Sequence, residues 1–274
     1  MTDAHPLDAP ADPFEVAQTA AADIARLSGV ARHDIAVTLG SGWGKAAELI
    51  GETVATIPAT EITGFSKPAV EGHVGTIRSV RTPGGRNVLV IGARTHLFEG
   101  HGVRRVVHSV RTAAATGAKI MVLTNGAGGV KPGWKPGQPV LISDHINLTG
   151  RSPLEGATFI DMTDLYAQRL RDIALEVDPS LDSGVYCQFP GPQYETPAEV
   201  RMAGILGGDL VGMSTSLEAI AARQAGMELL GFSLVTNLAA GISPTPLDHQ
   251  EVIDAGRQAE AVISGLLAKV IERL

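Results

Sequence analysis

Cysteine is almost absent from this chain. Cys187 is the only one in 274 residues, which excludes an intramolecular disulfide framework and fits a reducing compartment. It sits in an apolar run and reads as a small buried strand residue, not a nucleophile. Basic residues are outnumbered, 22 Lys and Arg against 29 Asp and Glu, for a formal charge of −7. A general nucleic-acid binder would carry a basic face, so nucleic acid is not an expected partner. A local cation cluster can still hold an anion, because charges more than about 8 Å apart are largely screened at physiological salt. No apolar run approaches the length of a membrane span. The opening MTDAHPLDAPADP carries three Asp and no apolar core, so it is not a signal peptide. A cytoplasmic protein with a disordered lead over 1–13 is the expectation.

Several chemical motifs are missing too. G-x-S-x-G, the signature of many serine hydrolases, does not occur. His96 and His101, five apart with Glu99 between them, match no standard zinc spacing, so no metal is expected. LGSGWGK (39–45) bends after the run IAVT yet fits neither nucleotide fingerprint. A Walker loop needs Gly where Leu39 stands and Ser or Thr where Ala46 stands. Gly40, Gly42 and Gly44 space as G-x-G-x-G, not G-x-G-x-x-G.

What is present is a well-supplied interior: 44% of residues are hydrophobic and 19% charged. Strands are predicted at 35–39, 87–93, 119–125, 139–144, 184–189 and 227–237. Several are continuously apolar, as for strands covered on both faces. Val103, Val106, Val107, Val110 and Ala114 form a helical stripe, and Val252, Ala259, Val262, Ile263, Leu266, Leu267 and Val270 form another, both read as core. KPGWKPGQP (131–139) reads as a turn-rich loop rather than a boundary. The prediction is a single α/β domain over 14–274 with a central, largely parallel mixed sheet flanked by helices.

In such sheets ligands bind beyond the carboxyl ends of the strands. Those positions hold Gly40-Ser41-Gly42, then Arg94, His96, Glu99 and His101, then TNGAGG (124–129), GPQYETPAE (191–199) and Thr236-Asn237. Three capping patterns open helices: Thr196-Pro197-Ala198-Glu199, Thr215-Ser216-Leu217-Glu218 and Asp248-His249-Gln250-Glu251. Thr196 and Thr215 serve their own backbones, which leaves Glu195 and Ser214 free to face a ligand. Ser41, Arg94, His96 and Ser214 together would make an oxyanion cradle. Each charge-assisted hydrogen bond contributes about 1.5–3 kcal/mol, and a helix N-terminus roughly 0.3–1 kcal/mol more. Taken alone, Arg94 reads as a surface ion-pair partner, and Glu99 as the group that orients His96 or Arg94.

LGSGWG, EGHVG, ARTHLFEGH, LTNGAGG, LISDHINLTG, GPQYETPAE, VGMSTSLEAIAAR and SLVTNLAAGI occur in that order. Together they resemble the trimeric class of purine nucleoside phosphorylases over nearly the whole chain after its lead. The resemblance implies reversible phosphorolysis of purine nucleosides to free base and ribose 1-phosphate, with inorganic phosphate as co-substrate and no cofactor. It implies a phosphate site of Ser41, His73, Arg94, His96, Gly126 and Ser214. Purine contacts fall on Glu195, Asn237, Val211 and Gly212, and ribose contacts on Tyr194, Met213, His249, Phe98 and Phe159. Asn237, Glu195 and His96 take the catalytic roles. Phe159 resembles an aromatic that enters a neighbouring subunit's site, implying a homotrimer; plain core is its other reading. His73 and His249 read otherwise as solvated loop histidines. Three positions depart from the family pattern: Phe98 replaces a tyrosine, Gly126 an alanine, and Tyr194 a common phenylalanine.

Ionised Glu195 would accept from the ring N–H of a 6-oxopurine while Asn237 donates to the imidazole nitrogen or six-position oxygen. Adenine presents the opposite pattern, so inosine and guanosine are the expected nucleosides in purine salvage. Related methylthioadenosine phosphorylases place Asp where Asn237 stands. Such an enzyme, or a nucleoside-binding protein without turnover, is the alternative.

Overall fold

The computed structural model describes residues 5–66, 75–243 and 246–274, with the backbone alone at residue 249. Among the described residues, nine strands run β1 Ile35–Thr38, β2 Glu52–Pro58, β3 Thr76–Arg81, β4 Asn87–Ile91, β5 Ile120–Gly129, β6 Pro139–Asn147, β7 Asp182–Gln188, β8 Leu210–Gly212 and β9 Glu228–Leu238, and eight α-helices run α1 Pro13–Ser28, α2 Ala46–Leu49, α3 Val103–Val106, α4 His108–Ala115, α5 Gln168–Val177, α6 Pro197–Ile205, α7 Ser216–Gln224 and α8 His249–Arg273.

IAVT in β1 is buried along its whole length because it lies between β4 and β5, parallel to both. Parallel pairs also join β5 to β9, β6 to β7 and β7 to β8. Antiparallel pairs add β2–β3 and β3–β4 at one edge, and β5–β8 and β6–β9 inside the sheet. Because β5 contacts both β8 and β9, the pairing β5–β8–β7–β6–β9 returns to its start and closes on itself. The result is the expected α/β domain with a mixed sheet.

One apolar cluster joins the sheet to α1, α4 and α7 through residues such as Ile24, Val110 and Leu217. A second, with Trp43, Leu170, Phe232, Ile263 and Leu267, joins it to α2, α5 and α8. A smaller third packs α6 over Cys187, Phe189, Val211 and Ala239. Cys187 is fully buried, and burial pushes its thiol up to about 11.

Four sequence expectations are corrected. Residues 5–12, read as disordered lead, form turns that pack: Leu7 is 2% exposed, Asp8 lies 3.2 Å from Arg105, and Asp12 caps α1 by accepting from the Phe14 amide. The valine stripe from Val103 is two helices, broken at Val107 with φ −97° and ψ 1°. Val262, placed in the core stripe of α8, is 68% exposed. β5 continues through TNGAGG to Gly129, so Gly126 lies in a strand opposite Leu234 and not in a loop after one.

Candidate active site

β1 and its neighbour β4 stop short of β5. β1 ends at Thr38, level with Ile91 of β4 and Leu123 of β5. Beyond that level β5 runs on without a partner on its β1 side, and the chain after β1 turns into the space. Three bonds fix this turn. The Gly40 amide donates to the Thr124 hydroxyl at 2.9 Å, which in turn donates to the Thr38 carbonyl at 2.9 Å. The indole N–H of fully buried Trp43 donates to the Asn125 carbonyl at 3.0 Å. Trp43 is thus the anchor of LGSGWGK, and Gly42, at φ +86°, supplies the left-handed residue of the bend. The bend holds Ser41 beside Gly126: a Cβ added at Gly126 would lie 3.7 Å from that of Ser41 and 2.9 Å from the Thr236 methyl.

The opening is a cavity of about 460 Å³, within the range of small-molecule sites. Ser41, Arg94, His96, Phe98, Gly126, Tyr194, Glu195, Val211, Gly212, Met213, Ser214 and Asn237 all line it. The sequence predicted each of them. Phe159 does not line it; it is 94% exposed. His73 lies outside the described residues. His249 opens α8, where Asp248 caps the helix by accepting from the Gln250 amide.

Arg94 is 2% exposed and tightly held. Its Nε donates to Glu218 at 3.1 Å and its Nη1 to the Thr124 carbonyl at 2.7 Å, while buried Nη2 has no hydrogen-bond partner among the described residues. It is therefore not a surface ion-pair residue. Glu99 accepts from the His96 amide at 2.7 Å and lies 3.3 Å from the ring Nδ1. Burial pushes the Glu99 carboxyl up, but the hydrogen bonds from His96 outweigh it and leave the pKa below the ordinary value. Of its two readings, Glu99 orients His96. The His96 ring also stacks on Phe98, centroids 4.8 Å apart.

Ser214 precedes a strained residue. Thr215 has φ +82°, uncommon for a β-branched side chain. Its amide donates to Glu218 at 3.0 Å and its hydroxyl accepts from Asn125 Nδ2 at 2.9 Å. The hydroxyl thus serves more than its own helix, as it also lies 3.1 Å from the Ser214 hydroxyl. The Ser214 amide donates to buried Tyr186 at 3.2 Å.

Glu195 sits just before the capping box of α6, in which Thr196 and Glu199 serve each other's amides. The box is closed between Thr196 and Glu199 and does not use the Glu195 side chain. Glu195 is 7% exposed, its Oε1 has no partner among the described residues, and burial, reinforced by Glu199, raises its pKa above the usual 4.5. Asn237 is oriented through Thr236, whose hydroxyl donates to Asn237 Oδ1 at 2.9 Å, and its Nδ2 donates to the Leu238 carbonyl at 3.0 Å.

Asn125, Ala127, Gly128, Pro192 and Thr236, which lie in segments that the sequence marked as ligand-facing but were given no role of their own there, also line the cavity, as do Ala239, Leu247 and Val252, which sequence reasoning did not place at the site. Val252 was read as core because it falls on the apolar stripe of α8. Among the described residues no group of His, Cys, Asp and Glu is arranged to hold a metal, and no helix is long and apolar enough to cross a membrane.

A family profile described as "Phosphorylase superfamily" matches residues 34–272. The purine nucleoside phosphorylase of Cellulomonas sp is 65% identical over 273 residues, covering 98% of this chain and 97% of that protein. That of Mycobacterium tuberculosis is 55% identical over 262 residues, covering 96% and 97%. The crystal structure of Schistosoma mansoni purine nucleoside phosphorylase in complex with inosine superposes with a TM-score of 0.84 at 32% identity, covering 95% of this chain and 96% of that one. The chain belongs to the phosphorylase superfamily and, within it, to the purine nucleoside phosphorylases, pentosyltransferases whose co-substrate is phosphate.

Proposed function

We propose that this enzyme catalyses reversible phosphorolysis of 6-oxopurine nucleosides, inosine and guanosine with their deoxy forms, to free base and (deoxy)ribose 1-phosphate in purine salvage. One observation carries the reading: a single cavity contains both a buried cation with a free donor, Arg94 Nη2, and a buried carboxylate with a free acceptor, Glu195 Oε1. Among the described residues these two side chains are incomplete alone and complementary to an anion and to a ring N–H. The inosine bound by the schistosome relative supports the same substrate class.

Breaking the N-glycosidic bond builds positive charge on the sugar and negative charge on the departing base. A phosphate held by Ser41, Arg94, His96, Ser214 and the Gly126 backbone would stabilise the sugar cation and then capture it. Asn237 would donate a hydrogen bond to the base as its charge grows, and Glu195 would accept from the ring. Groups preorganised toward developing charge supply most of the rate in such sites. Tyr194, Met213 and Phe98 would enclose the ribose, and His249, at the start of α8, would join them.

Selectivity follows from pairing. A buried acceptor facing an acceptor on adenine leaves both unsatisfied, and sites of this type reject such analogues by about 10⁴–10⁵-fold. Turnover of inosine, guanosine and adenosine, each with and without phosphate, tests the reading. Phosphate-dependent release of hypoxanthine and guanine, with adenosine far slower, is expected. Release independent of phosphate, or adenosine as the best substrate, would overturn it.

Phe159 supports a homotrimer. A phenylalanine left 94% exposed is a natural insertion into a second copy, and a particle mass of one chain in solution would refute that assembly.

A further inference from the structure

We propose that Glu218 is the positioning residue of the phosphate pocket, setting the guanidinium plane of Arg94 and fixing the turn that presents Ser214. The proposal rests on the reading of Arg94 and Ser214 as phosphate ligands and adds to it a residue that touches no substrate. From the sequence, Glu218 is only the third residue of a capping box. In the structure it is 1% exposed, and the two jobs of its carboxylate meet at one group.

The first job concerns the cation. Arg94 Nε lies 3.1 Å from each carboxylate oxygen, and Nη1 is tied to Thr124 on the other side. Two anchors on different nitrogens fix a planar group completely, leaving Nη2 as its one uncommitted nitrogen. The second job concerns the backbone. Glu218 Oε2 also accepts from the Thr215 amide, which holds that residue at its positive φ and sets where Ser214 begins. A glutamine loses the charge and turns an NH2 toward a donor, Arg94 Nε or the Thr215 amide, in either orientation. An aspartate keeps the charge but draws it back by one methylene, out of reach of Arg94 or of the turn.

A carboxylate at this point also lets Arg94 be buried at all. An unpaired guanidinium in a dry interior is costly. Paired with Glu218, it stays desolvated and ready to donate to an incoming anion, with little reorganisation when phosphate arrives.

Steady-state kinetics with the two substrates varied separately tests this, using the full-length enzyme and E218Q, E218D and R94Q. E218D retains the buried charge that Arg94 requires and so guards against loss of the fold. Both Glu218 variants are expected to raise KM for phosphate by about tenfold or more, the scale of one charge-assisted hydrogen bond. KM for inosine should stay within about twofold, since no purine contact is altered. A phosphate KM that is unchanged or lowered in both variants, while R94Q raises it, overturns the role of Glu218 and leaves the phosphate site standing. Equal increases for phosphate and inosine would mark a general packing role and overturn it too. If R94Q itself leaves the phosphate KM untouched, the reading of the site fails, and this proposal with it.

Discussion

Glu195 combines a free carboxylate oxygen with a pKa raised by burial, and the sign of its effect on ligand binding follows. The ionised form is the stronger acceptor for a purine N–H. As pH falls through the raised pKa the carboxyl takes up a proton, so base affinity weakens at pH values above the ordinary 4.5. Hypoxanthine titrated without phosphate, which removes the ionisation of the co-substrate, should show this loss, and E195Q should bind at least about tenfold more weakly with a flat profile. A flat wild-type profile over the same range would take Glu195 out of base recognition. Residues of this kind were legible because local pattern isolates them: Thr196 and Glu199 satisfy each other, so the residue before them is left over. Glu218 was not legible as a partner of Arg94, 124 positions away, since a capping carboxylate has a spare lone pair whatever lies beside it. Val252 misled for a similar reason. An apolar stripe says which side of α8 faces inward, but not that its first turn faces a cavity.

Continuous apolar runs and the last long helix were legible at the scale of elements because burial on both faces, or on one stripe, leaves a periodic trace. β2 and β3 left almost none. In ETVATIP only Ile57 is buried, and TIRSVR intersperses two arginines, as suits the edge of a sheet where one face meets water. The break at Val107 was hidden because valines keep helical spacing across it. The end of β5 was hidden because glycine and small polar residues show no alternation. That strand end matters, since the bend after β1 packs against it without room to spare. A Cβ at Gly40 would lie 2.5 Å from the Thr124 carbonyl oxygen and 2.8 Å from Arg94 Nη1, whereas one at Gly44 meets nothing within 4 Å. G40A should therefore displace Arg94 and lower kcat/KM for phosphate by about tenfold or more, with overpacking costing roughly 1–3 kcal/mol of stability. G44A should behave like the wild type in both respects. Thermal melts and phosphate kinetics on the pair would check this, and equal activity of the two variants would show that the bend does not support the site.

On the scale of the whole molecule, the cavity exists because the sheet changes partners. Where β1 and β4 stop, β5 and β9 continue into the closed circuit with β6, β7 and β8, and the unpaired margin between them is filled by loops. Sequence pattern predicted the fold class and the side of the sheet on which the cavity opens, since that side follows from parallel strands alone. It could not predict the closure, which depends on β8, a three-residue strand. The central claim is that this one opening holds an oxyanion and a purine together. A crystal structure of the enzyme with phosphate and hypoxanthine tests it most directly. The account predicts a phosphate oxygen within hydrogen-bonding distance of Arg94 Nη2, Ser41 and Ser214, and a ring nitrogen of the base at Glu195 Oε1. An anion bound away from those three residues, or a base whose ring edge turns from Glu195, would contradict it.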